Sequence, residues 1–419
     1  MTRRSTLSNG IRVLTHSIPN SPSVTLGIWV RNGSRFEERE QGGISHFLEH
    51  LIFKGTERRT ARQIAQEIDA VGGILNAFTG KEYTCYYAKV LGEHLPVAQD
   101  LLADIFCHST FPPEEIDRER SVVIQEILQN EDTPDDYVHD LFNLRFWPDH
   151  PLGWPICGSV ETIRRLGRED FLRFFEARYR PDRVLLVAAG RVEHDRFHDW
   201  AERVFGALDG RSQIPPVFPP EPKSGISVVP RSLEQVHICM GLPAVAQAAP
   251  DRFAGYVLNT VLGGGMSSRL FQEIRERRGR AYSVYSFLSS YSDCGYLGIY
   301  VATSPEWVEE VIAVTRDELL RLATEKVPDD ELERAKNQLK GNLFLALETS
   351  EHHMHRIARN EIYHGRDIPP SEVAACVEAV SSEDVLDFAR SYVVLDRLAV
   401  TLLGDLEGRE LKPDILTAA

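Results

Sequence analysis

The sequence lacks any long apolar segment. None of its apolar runs approaches the roughly 18 uninterrupted residues that a membrane-spanning helix requires. Arg3 and Arg4 lie near the N-terminus, but no apolar stretch follows them, so we expect no signal or transit peptide. These absences predict a protein without a membrane span.

Cysteines are few and scattered. The chain has six, with no CxxC spacing: Cys85, Cys107, Cys157, Cys239, Cys294 and Cys376. Isolated cysteines in a chain without a signal peptide are typical of reduced thiols, not of a disulfide framework or a sulfur-based metal site. This pattern predicts a cytoplasmic location.

Positive charge is also in deficit. The 47 lysines and arginines face 62 aspartates and glutamates, which gives a net charge of −15. Because nucleic-acid binding needs a cationic face, we expect no nucleic-acid partner. An acidic surface favours basic partners.

The length of 419 residues predicts more than one domain. Five prolines between Gly206 and Gly225 form a stretch that excludes helices and central strands. This stretch predicts an N-terminal domain at 1–210, a linker at 211–225 and a C-terminal domain at 226–419.

The two halves resemble each other. Residues 169–190 have a counterpart at 383–404, an offset of 214, and residues 114–118 have one at 330–334, an offset of 216. Two motifs at nearly equal offsets indicate an internal duplication, although chance similarity between two generic helix–strand units stays open. The patterns favour an α+β fold. Predicted strands lie at 24–30, 83–90 and 295–301, and predicted helices at 61–71, 94–106, 252–262 and 307–323.

A predicted helix that we expect to end near Gly55 contains the main candidate site. One apolar face is formed by Ile44, Phe47, Leu48, Leu51 and Ile52. His46 and His50 lie four residues apart on the opposite face, so both imidazoles can reach one zinc ion. Glu49 lies between them, where it could take a proton from a water that zinc has made more acidic. A solvated polar helix face is the alternative.

The order His-x-x-Glu-His is the inverted zinc-peptidase motif, which requires a third ligand elsewhere. A second predicted helix, after Pro113, offers Glu119 and Glu126, which are seven residues apart on one stripe with Val122 and Val123. Carboxylates among apolar neighbours need a partner, and a metal ion is one. Exposed salt bridges are the alternative.

These residues together resemble the M16 (pitrilysin-type, inverzincin) metallopeptidases. Within this family the sequence is most similar to the mitochondrial processing peptidase β subunit and its bacterial relatives. The resemblance includes the motif at 42–50, the residues at 53–56 and the position of Glu126, 76 residues beyond His50. It implies one Zn²⁺ per chain held by His46, His50 and Glu126, with Glu49 as the catalytic base and Glu119 as a supporting carboxylate.

Two further segments resemble functional parts of the family. Residues 72–79 are similar to an edge strand on which the substrate backbone lies, with Asn76, Ala77, Phe78 and Thr79 as the binding residues. A plain hairpin strand is the alternative. Arg275 and Tyr282 match a pair that donates to the substrate carbonyl and to the oxyanion formed there. A basic helix end at the surface is the alternative.

The resemblance also implies an architecture of two duplicated α/β-sandwich-like domains. Long family members contain four such domains, so a homodimer is implied, in which Arg275 and Tyr282 act in trans. The second half has no His-x-x-Glu-His motif, and Asn342 stands at the equivalent of Glu126. The predicted function is a zinc-dependent endopeptidase acting on extended, unfolded or presequence-like peptides. The net charge of −15 adds the hypothesis that basic peptides are preferred, which equal cleavage of charge-swapped peptides at low and high salt would contradict. The alternatives are a non-catalytic scaffold subunit like the core proteins of respiratory complexes, and a catalytic subunit active only with a different partner.

Overall fold

The structure, a computed structural model, describes residues 2–416. Its strands are β1 (Thr2–Thr6), β2 (Arg12–Ser17), β3 (Ser23–Val30), β4 (Ile74–Thr79), β5 (Thr84–Leu91), β6 (Val184–Gly190), β7 (Gly225–Pro230), β8 (Val236–Ala244), β9 (Ala281–Ser290), β10 (Gly295–Thr303) and β11 (Ala399–Gly404). Its α-helices are α1 (Ile44–Leu51), α2 (Ala61–Ala70), α3 (Leu95–His108), α4 (Pro113–Glu131), α5 (Pro134–Phe146), α6 (Val160–Arg165), α7 (Arg168–Arg178), α8 (His194–Phe205), α9 (Arg252–Gly263), α10 (Val308–Thr324), α11 (Asp329–Ala346), α12 (Ser350–His364), α13 (Pro370–Ala379) and α14 (Ser382–Tyr392).

The chain forms two compact units. The first contains the chain up to Gln129 together with Trp154–Val217 and Ala346–Ile368. The second contains Asn130–Gly153, Phe218–Leu345 and the described chain from Pro369 onward. Each unit therefore includes a helix from beyond the proline-rich stretch, α12 in the first and α5 in the second. The domain boundaries predicted from the sequence remain a proposal.

The strands of the first unit form one mixed sheet in the order β1-β2-β6-β3-β5-β4. Strands β2 and β6 are parallel, and the other neighbours are antiparallel. Strand β4 pairs with β5 on one side and lies at the edge of the sheet. The predicted edge strand is thus confirmed as an element.

The second unit repeats this arrangement. Its sheet has the order β7-β11-β8-β10-β9, which matches β2-β6-β3-β5-β4 position by position, including the one parallel pair. Helices α4 and α11 begin at Pro113 and Asp329, at the offset of 216 found in the sequence. The predicted α+β fold of two duplicated domains is therefore confirmed.

Helices cover both faces of the first sheet. Helices α1 and α3 pack against β3, β4 and β5 with the main hydrophobic core between them, while α12 packs against β2, β3 and β6 on the other face. Gly27 permits the close approach of α12, because a Cβ there would lie 2.9 Å from the Met354 Sδ. The Trp29 Nε1 donates to the same sulfur at 3.0 Å. The sheet is therefore enclosed between helical layers that position the site described below.

Most predicted elements lie where the sequence placed them, with ends that differ by one or two residues. The helix with the His-x-x-Glu-His motif is an exception, because it ends at Leu51 instead of near Gly55. The Lys54 N–H bonds to the Leu51 carbonyl and closes a turn, after which Gly55 adopts a φ of +135°. Periodicity does not reveal this end, since Ile52 is still buried in the turn.

Among residues 2–416, no helix is long and apolar enough to cross a membrane. No disulfide joins any two of the six cysteines, all of which lie within residues 2–416. Cys85 and Cys239 are buried, and the other four are half-buried.

Candidate metal centre

Helix α1 presents the two histidines of the motif. Its apolar face is buried, and the Glu37 carboxylate accepts hydrogen bonds from the Gly43 and Ser45 amides, both at 2.8 Å, at the N-terminus of the helix. Acceptors at this position satisfy amides that have no partner within the helix. The rings of His46 and His50, one turn apart, lie 4.8 Å from each other between centroids.

Helix α4 brings a carboxylate to both imidazoles. The Glu126 Oε1 lies 3.4 Å from the His46 Nε2, and the Oε2 lies 3.5 Å from the His50 Nε2. One ligand atom from each of the three side chains lies within 4.8 Å of the other two. Two ligand atoms bound to a tetrahedral zinc ion at about 2.0–2.1 Å are separated by ~3.3 Å. The spacing of these nitrogen and oxygen atoms therefore fits a zinc ion.

A second carboxylate contacts His50. The Glu119 Oε2 lies 3.2 Å from the His50 Nδ1, and the Oε1 lies 2.7 Å from the Lys54 ammonium. Glu119 is buried, and both of its oxygens have a partner. A carboxylate that holds one ring nitrogen fixes the tautomer and presents the other nitrogen as a ligand. Glu119 thus contacts His50 without joining the three converging ligand atoms.

The charges of the cluster are strongly coupled. Burial lowers the pKa of His46, but the neighbouring Cys157 thiol and Glu126 carboxylate outweigh it, so the net effect raises this pKa. The hydrogen bonds to His46 and then to His50 hold the pKa of Glu126 well below its usual range. His46 and Glu126 therefore favour a protonated imidazole beside a charged carboxylate. A metal ion bound there would displace the imidazole proton.

Glu49 lies beside the cluster but outside the three-ligand set. The Thr79 hydroxyl donates to its Oε2 at 2.5 Å. Burial raises the pKa of Glu49, and the Thr79 hydrogen bond and the two imidazoles act against this rise. Thr79 of β4 thus binds one carboxylate oxygen of Glu49, and the other oxygen takes no part in this hydrogen bond.

The structure places Asn76, Ala77, Phe78 and Thr79 on edge strand β4. The Ala77 N–H donates to the Asn76 Oδ1 at 2.8 Å. The Asn76 side chain therefore covers the amide of Ala77. This amide lies at a sheet edge, where main-chain groups can pair with another strand. Through Thr79, the same strand reaches Glu49.

Arg275 and Tyr282 belong to the second unit, whereas the residues of the cluster belong to the first. Arg275 lies in a π-helical segment, Phe271–Arg277, and Tyr282 lies at the start of β9. The guanidinium carbon is 4.5 Å from the centre of the Tyr282 ring, and an Nη1 donates to the Tyr282 carbonyl at 3.2 Å. Tyr282 is 78% exposed, so its ring is open to solvent.

The sequence did not reveal several contacts of this site. Lys54 and Cys157 were not singled out for it, and Thr79 was expected to bind substrate, not Glu49. The four-residue spacing of His50 and Lys54 on the predicted helix is a sequence signal that could have placed Lys54 near the site. The prediction that Val122 shares the stripe of Glu119 is wrong. Val122 is 48% exposed, whereas Glu119 and Val123 are buried.

The fold and the site together define a duplicated protein with one candidate metal cluster among residues 2–416. Residues 12–159 match the family profile described as Insulinase (Peptidase family M16), and residues 165–339 match the one described as Peptidase M16 inactive domain. The chain is 40% identical over 417 residues to a protein of Streptomyces coelicolor named an uncharacterized zinc protease, covering 97% of this chain and 90% of that protein. A Bacillus subtilis protein of the same description is 41% identical over 396 residues, covering 94% and 97%. The chain belongs to peptidase family M16.

Solved structures share the fold. A protease from Helicobacter pylori superposes with a TM-score of 0.89 at 22% identity, covering 96% of this chain and 99% of that one. A protein from Pseudomonas fluorescens described as a peptidase M16 inactive domain gives 0.90 at 19% identity, covering 98% and 100%. At these identities the likeness concerns the fold alone.

Proposed function

We propose that this chain is a zinc-dependent endopeptidase. The convergence of one ligand atom each from His46, His50 and Glu126 within 4.8 Å is the observation on which the proposal rests. Membership of peptidase family M16 and the zinc-protease names of the relatives support it.

The His46 and His50 Nε2 atoms and the Glu126 carboxylate would hold one Zn²⁺ per chain. Glu119 would keep the His50 ring in the orientation that directs Nε2 toward the ion, since it contacts the Nδ1 at 3.2 Å. Zinc, when bound there, would supply Lewis-acid chemistry that polarises the scissile carbonyl and makes a water molecule more acidic.

Glu49 would move the protons of the reaction. Its Oε2 is fixed by the Thr79 hydroxyl, so its Oε1 is the atom available to accept a proton from the attacking water. The carboxyl group then passes this proton to the nitrogen of the leaving amine. Burial raises the pKa of Glu49, and a raised pKa suits a carboxyl group that must first accept and then donate a proton.

An extended peptide would add to the sheet at β4. Main-chain hydrogen bonds to a strand edge bind a peptide with little dependence on its side chains. The Ala77 N–H could serve as one donor once the Asn76 side chain releases it. This mode of binding favours unfolded or presequence-like segments, since a folded substrate does not offer a free strand.

Arg275 and Tyr282 would donate to the substrate carbonyl and to the oxyanion formed from it. They would do so in the partner subunit of a homodimer, so that each site draws residues from two chains. The contact between the two side chains and the exposure of Tyr282 support their acting as a pair.

The test is hydrolysis of an unfolded peptide by the purified protein, with zinc content measured alongside. We expect Glu49→Gln to retain zinc and to lose roughly 10²–10⁴-fold in kcat. Glu57→Gln is the matched control, because Glu57 is exposed and close in sequence, and its rate should match the wild type. Undiminished activity of Glu49→Gln would refute the proposed base. Zinc without activity in the wild type would favour a scaffold subunit or a catalytic subunit that needs a different partner.

A further inference from the structure

Arg178, the last residue of α7, is a buried cation without a counter-ion. It is 6% exposed, and its Nη1 is buried with no hydrogen-bond partner. Within residues 2–416, no carboxylate forms an ion pair with its guanidinium. The centre of the Phe174 ring lies 5.6 Å from its guanidinium carbon. Since burying an unpaired charge costs free energy, an anion bound beside the guanidinium would stabilise this arrangement.

The charged groups around Arg178 do not offset the cost of burying its guanidinium. Burial lowers the pKa of Arg178, and neither Glu38 nor Glu37 outweighs this effect and the repulsion from Arg183. Burial likewise lowers the pKa of Arg183 and of Arg31. Arg183 is thus a further, half-buried cation whose charge acts on Arg178.

Arg178 lines a cavity of about 440 Å³ in the first unit. The cavity is also lined by Arg173, Phe174, Glu38, Gln41 and Gln213. The Gln213 N–H donates to the Ala177 carbonyl at 2.8 Å, which attaches this wall of the cavity to α7. Pockets that bind small molecules have about 300–1,000 Å³, so the cavity can hold more than a bare ion.

We propose that this cavity binds a small molecule with a carboxylate or phosphate group, whose oxygens pair with the Arg178 guanidinium. A planar guanidinium donates two parallel hydrogen bonds to such a group, which neutralises the buried charge. Arg173 supplies a second cation and the Gln41 and Gln213 amides supply further donors. The exposed Glu38 also lines the cavity and accepts from an N–H or O–H group of the ligand.

The proposal goes beyond the peptidase function. The lining contains none of the metal-cluster residues. A ligand that carries only apolar groups does not fit the proposal, because it would leave the guanidinium unpaired. The oxyanion is the chemical feature that the cavity selects, and either a phosphate or a carboxylate can provide it.

Calorimetric titration of the full-length protein tests the proposal, with inorganic phosphate and succinate as separate probes at constant ionic strength. We expect at least one probe to bind the wild type and to bind Arg178→Met about tenfold or more weakly, the loss expected for hydrogen bonds to a charged group. Arg203→Met is the matched control, because Arg203 is an exposed arginine of α8 outside the cavity. Its affinity for the probe should equal that of the wild type.

Two variants keep the test decisive if Arg178→Met fails to fold. Arg178→Lys retains the charge but not the two-pronged geometry, so it should bind the probe measurably but more weakly. Arg173→Ala should fold, since Arg173 is exposed, and should weaken binding to a smaller extent. Equal affinities in the wild type and the Arg178 variants, or no binding of either probe to the wild type, would overturn the proposal. Equal affinities would also be the result if phosphate bound only at the metal centre.

Discussion

The two nitrogens of His50 face two different carboxylates, and this arrangement assigns them different tasks. Nε2 faces Glu126, whereas Nδ1 contacts Glu119, which also pairs with Lys54. A free imidazole could rotate or change tautomer, and each such state would weaken a metal site. Glu119 removes this freedom, so we expect its contribution to appear in metal affinity.

We expect Glu119→Gln to lower zinc affinity about 10–100-fold, because loss of a carboxylate that orients a ligating histidine has effects of this size. Competition with a chromogenic chelator measures the affinity. Lys54→Met is the control, because it removes a partner of Glu119 and leaves the Glu119–His50 contact, so its effect should be clearly smaller. Zinc affinity of Glu119→Gln equal to that of the wild type would show that Glu119 does not orient the ring.

At the scale of residues, the sequence predicted which side chains are near one another when they share a helix. His46, Glu49 and His50 follow from helical spacing alone. The hydrogen bond from Thr79 to Glu49 and the contact of Cys157 with Glu126 do not, because each joins segments separated along the chain whose relative placement depends on tertiary packing. The exposure of Val122 shows the same limit, since its position on α4 allowed either environment.

At the scale of elements, α1 is short, and its position depends on how it begins. The helix has eight residues, too few to be stable in isolation. The buried Glu37 carboxylate accepts two amide hydrogen bonds at its N-terminus. Gly43 adopts a φ of +93°, and a Cβ there would lie 2.5 Å from the Cys157 carbonyl oxygen. The start of α1 is thus fixed by residues that precede the histidines.

We expect Glu37→Ala to lower the free energy of unfolding by about 1–3 kcal/mol, because two buried amides would lose their acceptor. Chemical denaturation of the metal-free protein measures the effect. Glu38→Ala, which changes an exposed neighbour, should alter the free energy of unfolding by no more than about 0.5 kcal/mol. Equal effects of the two substitutions would mean that the Glu37 hydrogen bonds do not stabilise the start of α1.

Element types were more predictable than element ends. The apolar periodicity of α1 extends through Ile52, but the backbone leaves the helix at Leu51 because a turn forms between Leu51 and Lys54. A side chain in a turn can be as buried as one in a helix, so hydrophobicity does not distinguish them. The edge position of β4 needed the resemblance, since a plain hairpin strand would have the same pattern.

At the scale of the whole molecule, one fold is present twice and the metal cluster only once in the part that the structure describes. The second sheet has the same order as five of the six strands of the first, which agrees with the offsets of 214 and 216 in the sequence. The inclusion of α12 in the first unit and of α5 in the second could not be read from the sequence. An amphipathic helix can cover any apolar sheet face, and only the packed chain shows which one it covers.

The proposed homodimer with sites completed in trans makes a quantitative prediction. We expect Glu49→Gln and Arg275→Ala each to be nearly inactive alone. After the two proteins are mixed and allowed to exchange subunits, activity should return to about one quarter of the wild type, because half of the random dimers are mixed and each has one intact site. Peptide hydrolysis measures this recovery.

The control mixes Glu49→Gln with the double variant Glu49→Gln/Arg275→Ala. This mixture should remain inactive. No recovery in the first mixture, despite subunit exchange shown by mass spectrometry, would mean that Arg275 acts within its own chain or not at all. That outcome would not contradict the proposed zinc centre.

Anomalous diffraction from crystals of the protein, recorded on both sides of the zinc absorption edge, tests the central claim most directly. The account predicts one zinc peak per chain, surrounded by the His46 and His50 Nε2 atoms and the Glu126 carboxylate at about 2.0–2.2 Å. No zinc peak in zinc-supplemented crystals, or a peak only at other residues, would contradict it.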